Sequence, residues 1–354
     1  MIDTIRVESP SIDDAVYRYL KDISVEKLQI DNATGNIHYC FTNYELDGSF
    51  DYRIMLSIKT EKWQRFYSAS VCKFVTDLLP CDPYLVIEFS IHKFFVGHNL
   101  KNGFNDLSDK FKLFIEFLES TLNVTLPDYR NWILTRLDFA LTFKINNVED
   151  YFKYLKNCTY PRRKTFSYDT SMMWVGSTTT VRVYSKEHEF KKHDLNRLKN
   201  NMNFDIIDLV NTSKNMIRAE VQIRKKKLID INGGKIMTIN DYDYNKIIKL
   251  YDEEILKVYR IRENNIKYNK ADDVMQILLE NYTKNRANTL FSFYTQMQIF
   301  DESKVRESVS RASFYRYRKE LIDLGIDLKN SNIKIDNDVF INFIPDSTSK
   351  YLIS

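Results

Sequence analysis

The run Leu134-Thr135-Arg136-Leu137-Asp138-Phe139-Ala140-Leu141-Thr142-Phe143 decides the fold. Apolar side chains return at every second position: Leu137, Phe139, Leu141 and Phe143 point one way, Arg136 and Asp138 the other. Side chains of an extended chain alternate strictly, so this is the pattern of a strand with one face in a core. Three other segments carry the same signature. Residues 85–92 set Leu85, Ile87, Phe89 and Ile91 against Glu88, Ser90 and His92. Residues 181–186 place Arg182, Tyr184 and Lys186 on a common face. Residues 216–224 alternate Ile217, Ala219, Val221 and Ile223 against Arg218, Glu220, Gln222 and Arg224. If the four strands share one sheet, its polar face gathers Glu88, Asp138 and Glu220 with Tyr184, Lys186 and several arginines.

Working outward, Ser11 is the expected cap of a short helix, and Asn32-Ala33-Thr34-Gly35 reads as a turn between strands. Phe111, Phe114, Ile115, Leu118 and Leu122 recur at helical spacing, so 109–122 reads as an amphipathic helix, with another over 148–157. From about residue 236 the strand patterns give way to helical ones, over 241–262, 271–281, 283–298, 302–309 and 313–324. The expected fold is α+β: an antiparallel-sheet domain over 1–235, then a mostly helical domain over 236–354. In the last helix, capped by Ser313 and stopped at Gly325, Phe314, Tyr317, Leu321 and Leu324 form an inward stripe. With a hairpin over Ile333–Phe343 as a wing, this region reads as a winged helix-turn-helix with Arg316, Arg318 and Lys319 toward DNA, or as an ordinary helical subdomain.

Composition excludes several classes. No apolar run approaches the roughly 18 residues of a membrane span, and MIDTIRVESP lacks the basic and apolar regions of a signal peptide. Cys40, Cys72, Cys81 and Cys158 show neither CxxC pairing nor zinc spacing, as expected of reduced thiols in a cytoplasm. The net charge of +4 is too small to establish a nucleic-acid partner. The cations do cluster, at 161–164, 190–193, 224–227 and 316–319, and such runs neutralise phosphates or simply face solvent. The 23 Tyr and 23 Phe reflect the coding bias of AT-rich DNA more than function.

Three carboxylates converging from different strands repel one another unless a cation lies between them. Hard oxygen donors favour Mg²⁺ or Mn²⁺ over zinc. The plainer alternative is a solvated polar face of arginine–carboxylate pairs, normal for an antiparallel sheet.

These segments resemble the gene II/X replication proteins of filamentous phages and related rolling-circle plasmids. Met1-Ile2-Asp3 is similar to that family's opening, and the Gly97-His98-Asn99 context within 96–107 to a segment after its acid-bearing strand. Thr135–Asp138 resembles its Arg-x-Asp strand, Tyr184–Glu189 a Tyr-x-Lys-x-x-Glu pattern shared with plasmid initiators, and Ile217–Glu220 an Arg-x-Glu strand. The basic-aromatic segment 310–319 is similar to a late helix of the phage proteins. The matches are collinear over roughly residues 1–325.

The resemblance implies a nicking–joining enzyme that cleaves one strand at an origin, forms a 5′-phosphotyrosine and frees a 3′-OH primer. Tyr184 is then the nucleophile. Glu88 and Asp138 are the first choices as ligands of Mg²⁺ or Mn²⁺, with Glu220 and Glu189 next. Lys186, two residues along the same strand face, is expected to stabilise the phenolate. Arg136, Arg182 and Arg218 join Arg316, Arg318 and Lys319 as expected DNA contacts. His92, sharing a face with Glu88, is a further ligand candidate, although the His-hydrophobic-His pair of many such enzymes is missing. His98 shapes a turn, and Tyr168 is a candidate second tyrosine. The expected partners are origin DNA, single-stranded or in a hairpin, and a host helicase and polymerase, in a bacterial cytoplasm without a membrane; the oligomeric state stays open. Two other readings compete: a non-enzymatic DNA-binding regulator or replication accessory protein, and a metal nuclease that uses water.

Overall fold

A computed structural model describes residues 1–30, 37–47, 53–68, 73–156, 158, 160–199, 203–259, 271–300, 302–326, 328, 345–348 and 352–353. The expected turn at 32–35 and wing at 333–343 lie outside these residues. Ten strands form one sheet: β1 (Ile2–Ser11), β2 (Val25–Ile30), β3 (Ile37–Asp47), β4 (Arg53–Ser68), β5 (Lys73–Ser90), β6 (Ile133–Lys144), β7 (Lys164–Tyr168), β8 (Ser171–Val175), β9 (Thr179–Ser185) and β10 (Met216–Arg224). They are ordered β2-β3-β4-β5-β1-β6-β10-β9-β8-β7, and every neighbour runs antiparallel. The four segments that alternate in sequence thus lie at the sheet's centre, around β1.

The apolar face is closed by helices whose stripes the sequence carries. Leu107–Leu122, capped by Asp106, buries Phe111, Phe114 and Leu118. Phe114 stacks on Phe89 of β5 at 3.7 Å between ring centroids. Tyr151, Phe152 and Leu155 of the helix Val148–Leu155 join the same core. So do Ile247, Leu250, Tyr251, Ile255 and Val258 of the helix Tyr244–Tyr259. Tyr251 packs its ring 5.4 Å from that of Phe139, with its hydroxyl, which donates to the Pro345 carbonyl at 2.8 Å, lying 3.4 Å from the carbonyl of Ala219. A helix grouped by sequence with the second domain is therefore packed into the core of the sheet. The apolar clusters divide after this helix and not at residue 235: the next cluster begins at Val274.

That second cluster joins the helices Ala271–Asn281, Lys284–Ile299, Glu302–Ser308 and Arg311–Asp323. Phe314 and Leu321 are buried in it, with Tyr317 and Leu324 packed alongside. Ser310, not Ser313, caps the last helix, accepting from the Ser313 N–H. At the front of the chain Asp13, not Ser11, caps the first helix, because β1 runs through Ser11.

Candidate functional site

Cross-strand register assembles a polar band across the open face of the sheet. Arg6 of β1 lies opposite Glu88 of β5 and Arg136 of β6. Gln222 of β10 lies opposite Asp138, and Glu220 opposite Ala140 on one side and Arg182 of β9 on the other. Asp138 and Glu220 are thereby diagonal neighbours on one face, and Tyr184 follows Arg182 two residues along β9. The residues inward by parity are buried: Leu137, Phe139, Val181, Val183, Ala219 and Val221.

Ion pairs lace this band. Arg136 donates to Glu88 at 2.6 Å and, through Nε, to Asp138 at 2.8 Å. Arg6 also approaches Glu88, at 3.9 Å. Arg182 donates to Glu220 at 3.2 Å. The partly exposed Tyr184 donates its hydroxyl to the other Glu220 oxygen at 3.4 Å. Burial, then the charges of Asp138 and Asp3, push the Glu220 carboxyl up to about 7, against the pull of Arg182 and Arg218. Burial likewise raises Asp138, with Arg136 opposing. The Tyr184 phenol stands well above its ordinary value, chiefly through burial; Arg218 draws it down while Glu220 and Glu189 raise it.

A buried network lies beneath the tyrosine. Two residues of β1, Asp3 and Thr4, oppose one of β6, Asp138, between Ile2↔Phe139 and Ile5↔Leu137. Such a bulge re-aims a side chain, here Asp3, into the interior. Asp3 meets Arg218 at 3.1 Å and accepts from Asn99 at 3.0 Å. Burial would raise its carboxyl, but Arg218, Lys93, Asn99 and Lys186 outweigh that and hold it at about 2. Asn99 also accepts from Lys186 at 2.5 Å and from Arg218, through its carbonyl, at 3.0 Å. The one asparagine of the Gly-His-Asn segment thus ties β1, β10 and the Tyr-x-Lys segment together.

Several expectations are corrected here. Lys186 is not on a strand. β9 ends at Ser185, whose hydroxyl caps the helical turn Lys186–Glu189, and Lys186 is fully buried against Glu189 and Asn99. Glu189 is held by Lys186 and by Lys93 at 3.7 Å, apart from the other acids. Arg218 has no exposed surface, and Asp3, Asn99 and Thr142 occupy its guanidinium, so it cannot contact DNA. His92 is not on Glu88's strand face: β5 ends at Ser90, which caps the helix Ile91–Val96. The ring is 3% exposed, packs on Gly103, and is pushed down to about 3 by burial and then by Arg218. His98 accepts from the Leu100 N–H at 3.4 Å, consistent with a turn. Tyr168, 57% exposed, lies at the end of β7 near the sheet's margin. Arg316 and Lys319 are exposed and Arg318 partly so.

Among the described residues, no three His, Cys, Asp or Glu side chains gather as a group that could hold a metal ion. Each expected ligand is already met by a cation: Glu88 and Asp138 by Arg136, Glu220 by Arg182, Glu189 by two lysines. As arranged, these residues do not fit a bound dication.

Asp3, Asn99, Lys93 and Asp194 were not singled out by sequence. Lys93 and Asp194 pair at 2.8 Å in the same buried network. The signal for Asp3 and Asn99 was present, since both fall in segments that resemble the phage proteins.

The sheet is antiparallel throughout, with a tyrosine, carboxylates and arginines on one face. A family model described as the N-terminal part of the gene II replication-associated protein matches residues 1–253. The chain belongs to this family of phage replication proteins. No curated protein and no solved structure matches it. Among the described residues no helix is long and apolar enough to cross a membrane.

Proposed function

We propose that this replication protein nicks and rejoins one DNA strand at an origin, with Tyr184 as the nucleophile. The observation that carries the reading is the hydrogen bond from the Tyr184 hydroxyl to Glu220, a carboxyl raised to about 7. A phenol is a weak nucleophile until its proton has somewhere to go. A base whose pKa lies near neutrality combines the right charge state with a useful driving force. In the forward step Tyr184 Oη forms a bond to phosphorus while its proton passes to Glu220. The bond from phosphorus to the 3′-oxygen breaks, and that oxygen takes up a proton to leave as the 3′-OH. The phosphotyrosine is a diester, so a later 3′-OH can displace Tyr184 with no net loss of phosphodiester bonds.

Arg182, whose side chain is 38% exposed, and Arg6, 48% exposed, are the cations of the band best placed to meet a phosphate. Arg136 holds Asp138 and Glu88 in place. Arg316, Arg318 and Lys319 contribute DNA affinity from the carboxy-terminal helix, within the proposed winged helix-turn-helix. Dependence on Mg²⁺ or Mn²⁺, and the recruitment of a host helicase and polymerase, belong to the proposal through the resemblance alone; a dication would require Arg136 and Arg182 to release Glu88, Asp138 and Glu220.

The test is a denaturing gel of protein incubated with single-stranded origin DNA and Mn²⁺. Wild type should yield a covalent adduct and Tyr184→Phe none, while a chelator and Asp138→Ala should reduce cleavage more than binding. Normal nicking by Tyr184→Phe would remove the tyrosine from the mechanism and favour attack by water. Binding without cleavage by wild type would leave a DNA-binding regulator.

A further inference from the structure

The hairpin of β4 and β5 is longer than the sheet that holds it. β3 pairs with β4 only over Arg53–Ile58, and β1 pairs with β5 only over Tyr84–Ser90. Beyond a register shift between Lys59 and Glu61, eight pairs run from Glu61↔Pro80 to Ser68↔Lys73. No third strand flanks them among the described residues. At about 3.3 Å per residue this two-stranded ribbon is roughly 23 Å long.

A bare ribbon is marginal in water, yet this one presents Trp63 at 68% exposure and Phe74 at 61%. Trp63 lies opposite Leu78, and Phe74 is four residues from Leu78 along β5, so the two aromatic rings share a face. Along β4, Ile54, Leu56 and Ile58 enter the core. Trp63 has the opposite parity, that of Met55, the register partner of Glu88. Beyond the register shift it is Lys62, on the opposite side of β4 from Trp63, that reaches Glu8 of β1, at 3.6 Å. Residues 59–80 carry four cations (Lys59, Lys62, Arg65, Lys73) against two acids (Glu61, Asp77). That balance suits a polyanion and disfavours a second copy of the same ribbon.

We propose that the ribbon is a stacking platform for unpaired bases of the DNA strand that enters the site. The proposal rests on the nicking reading, which needs a single strand free to lie in line with Tyr184. Every base has a π-face, so stacking on Trp63 and Phe74 holds a strand regardless of sequence, and the excess of basic over acidic residues in 59–80 favours its phosphates.

The tryptophans supply the test. Trp132 and Trp174 have no exposed surface, so of the three only Trp63 can meet a base. A short oligothymidylate should quench tryptophan emission, and a blunt duplex of equal length should not. Trp63→Leu should abolish the quenching and weaken oligothymidylate binding roughly five- to a hundredfold, the range for one lost base stack. Phe74→Leu should weaken binding and keep the quenching. Oligothymidylate binding without quenching, or unchanged affinity in Trp63→Leu, overturns the proposal. So does a change of sedimentation from dimer to monomer in Trp63→Leu, which would assign the face to a second copy. The covalent-adduct assay separates this from the nicking reading. Quenching without any wild-type adduct sinks the nicking and leaves the platform; an adduct in a protein that is not quenched does the reverse.

Discussion

Gly103→Ala puts the packing around the Gly-His-Asn segment under direct test. A Cβ at position 103 would lie 2.0 Å from Cε1 and 2.2 Å from Nδ1 of His92. Ordinary contact is about 3.5–4.0 Å, so the ring must move by more than an ångström. It has little room, being 3% exposed and 5.3 Å from the Phe104 ring. Overpacking a closed site costs about 1–3 kcal/mol, and this overlap belongs at the upper end. At about 2–4 °C per kcal/mol for a domain of 150–250 residues, the melting midpoint should fall by roughly 6–12 °C. Emission from Trp132 and Trp174, both buried in the sheet's core, follows the transition. Gly103→Ala combined with His92→Ala should recover most of the loss, with a coupling energy of about 2 kcal/mol. Nicking should fall with stability in Gly103→Ala, because the same segment carries Asn99, which braces Asp3 and Lys186. A Gly103→Ala protein within about 0.5 kcal/mol of wild type, or a double variant whose losses simply add, would refute this placement of the ring.

Two further outcomes are expected. Arg218→Gln strands the buried Asp3 carboxylate and should cost about 3–5 kcal/mol in urea unfolding, far more than Arg182→Gln, whose side chain is 38% exposed; equal costs would contradict the burial of Arg218. Glu220 is raised from 4.5 to about 7, so the unfolded chain releases this proton first and stability falls as pH rises from about 4.5 to 7. At 1.36 kcal/mol per unit, the roughly 2.5-unit shift is worth about 3 kcal/mol. Glu220→Gln should remove this slope and also the rise in nicking rate through pH 7 expected of wild type if Glu220 is the base. Stability curves of wild type and variant from pH 5 to 8 check the sign, and parallel curves would show that Glu220 is not the group responsible.

The centre of the sheet was legible because strand parity is a local property. In 134–143 and 216–224, knowing that the backbone is extended fixes which side chain faces inward, and those assignments match the burial of Leu137, Phe139, Ala219 and Val221. Both misplaced residues fail in one way. Lys186 and His92 were given the parity of β9 and β5, but each lies just beyond a serine that ends its strand and caps a helix. Ser185 is followed by Glu187 and Glu189, a helix-start pattern that could have corrected Lys186. The alternation alone could not overrule the strand reading, because apolar periodicity over six residues fits either element.

The sequence by itself determined the α+β class, the central strands, and the side of its own strand that each of Glu88, Asp138, Tyr184 and Glu220 takes, since all follow from periodicity. Only the tertiary structure decided which charges meet. Arg136 lies between Glu88 and Asp138, Arg218 is enclosed with Asp3, and Tyr184 reaches Glu220. Those pairings depend on strand order and on a bulge in β1, long-range matters of register that no alternation along a single segment encodes.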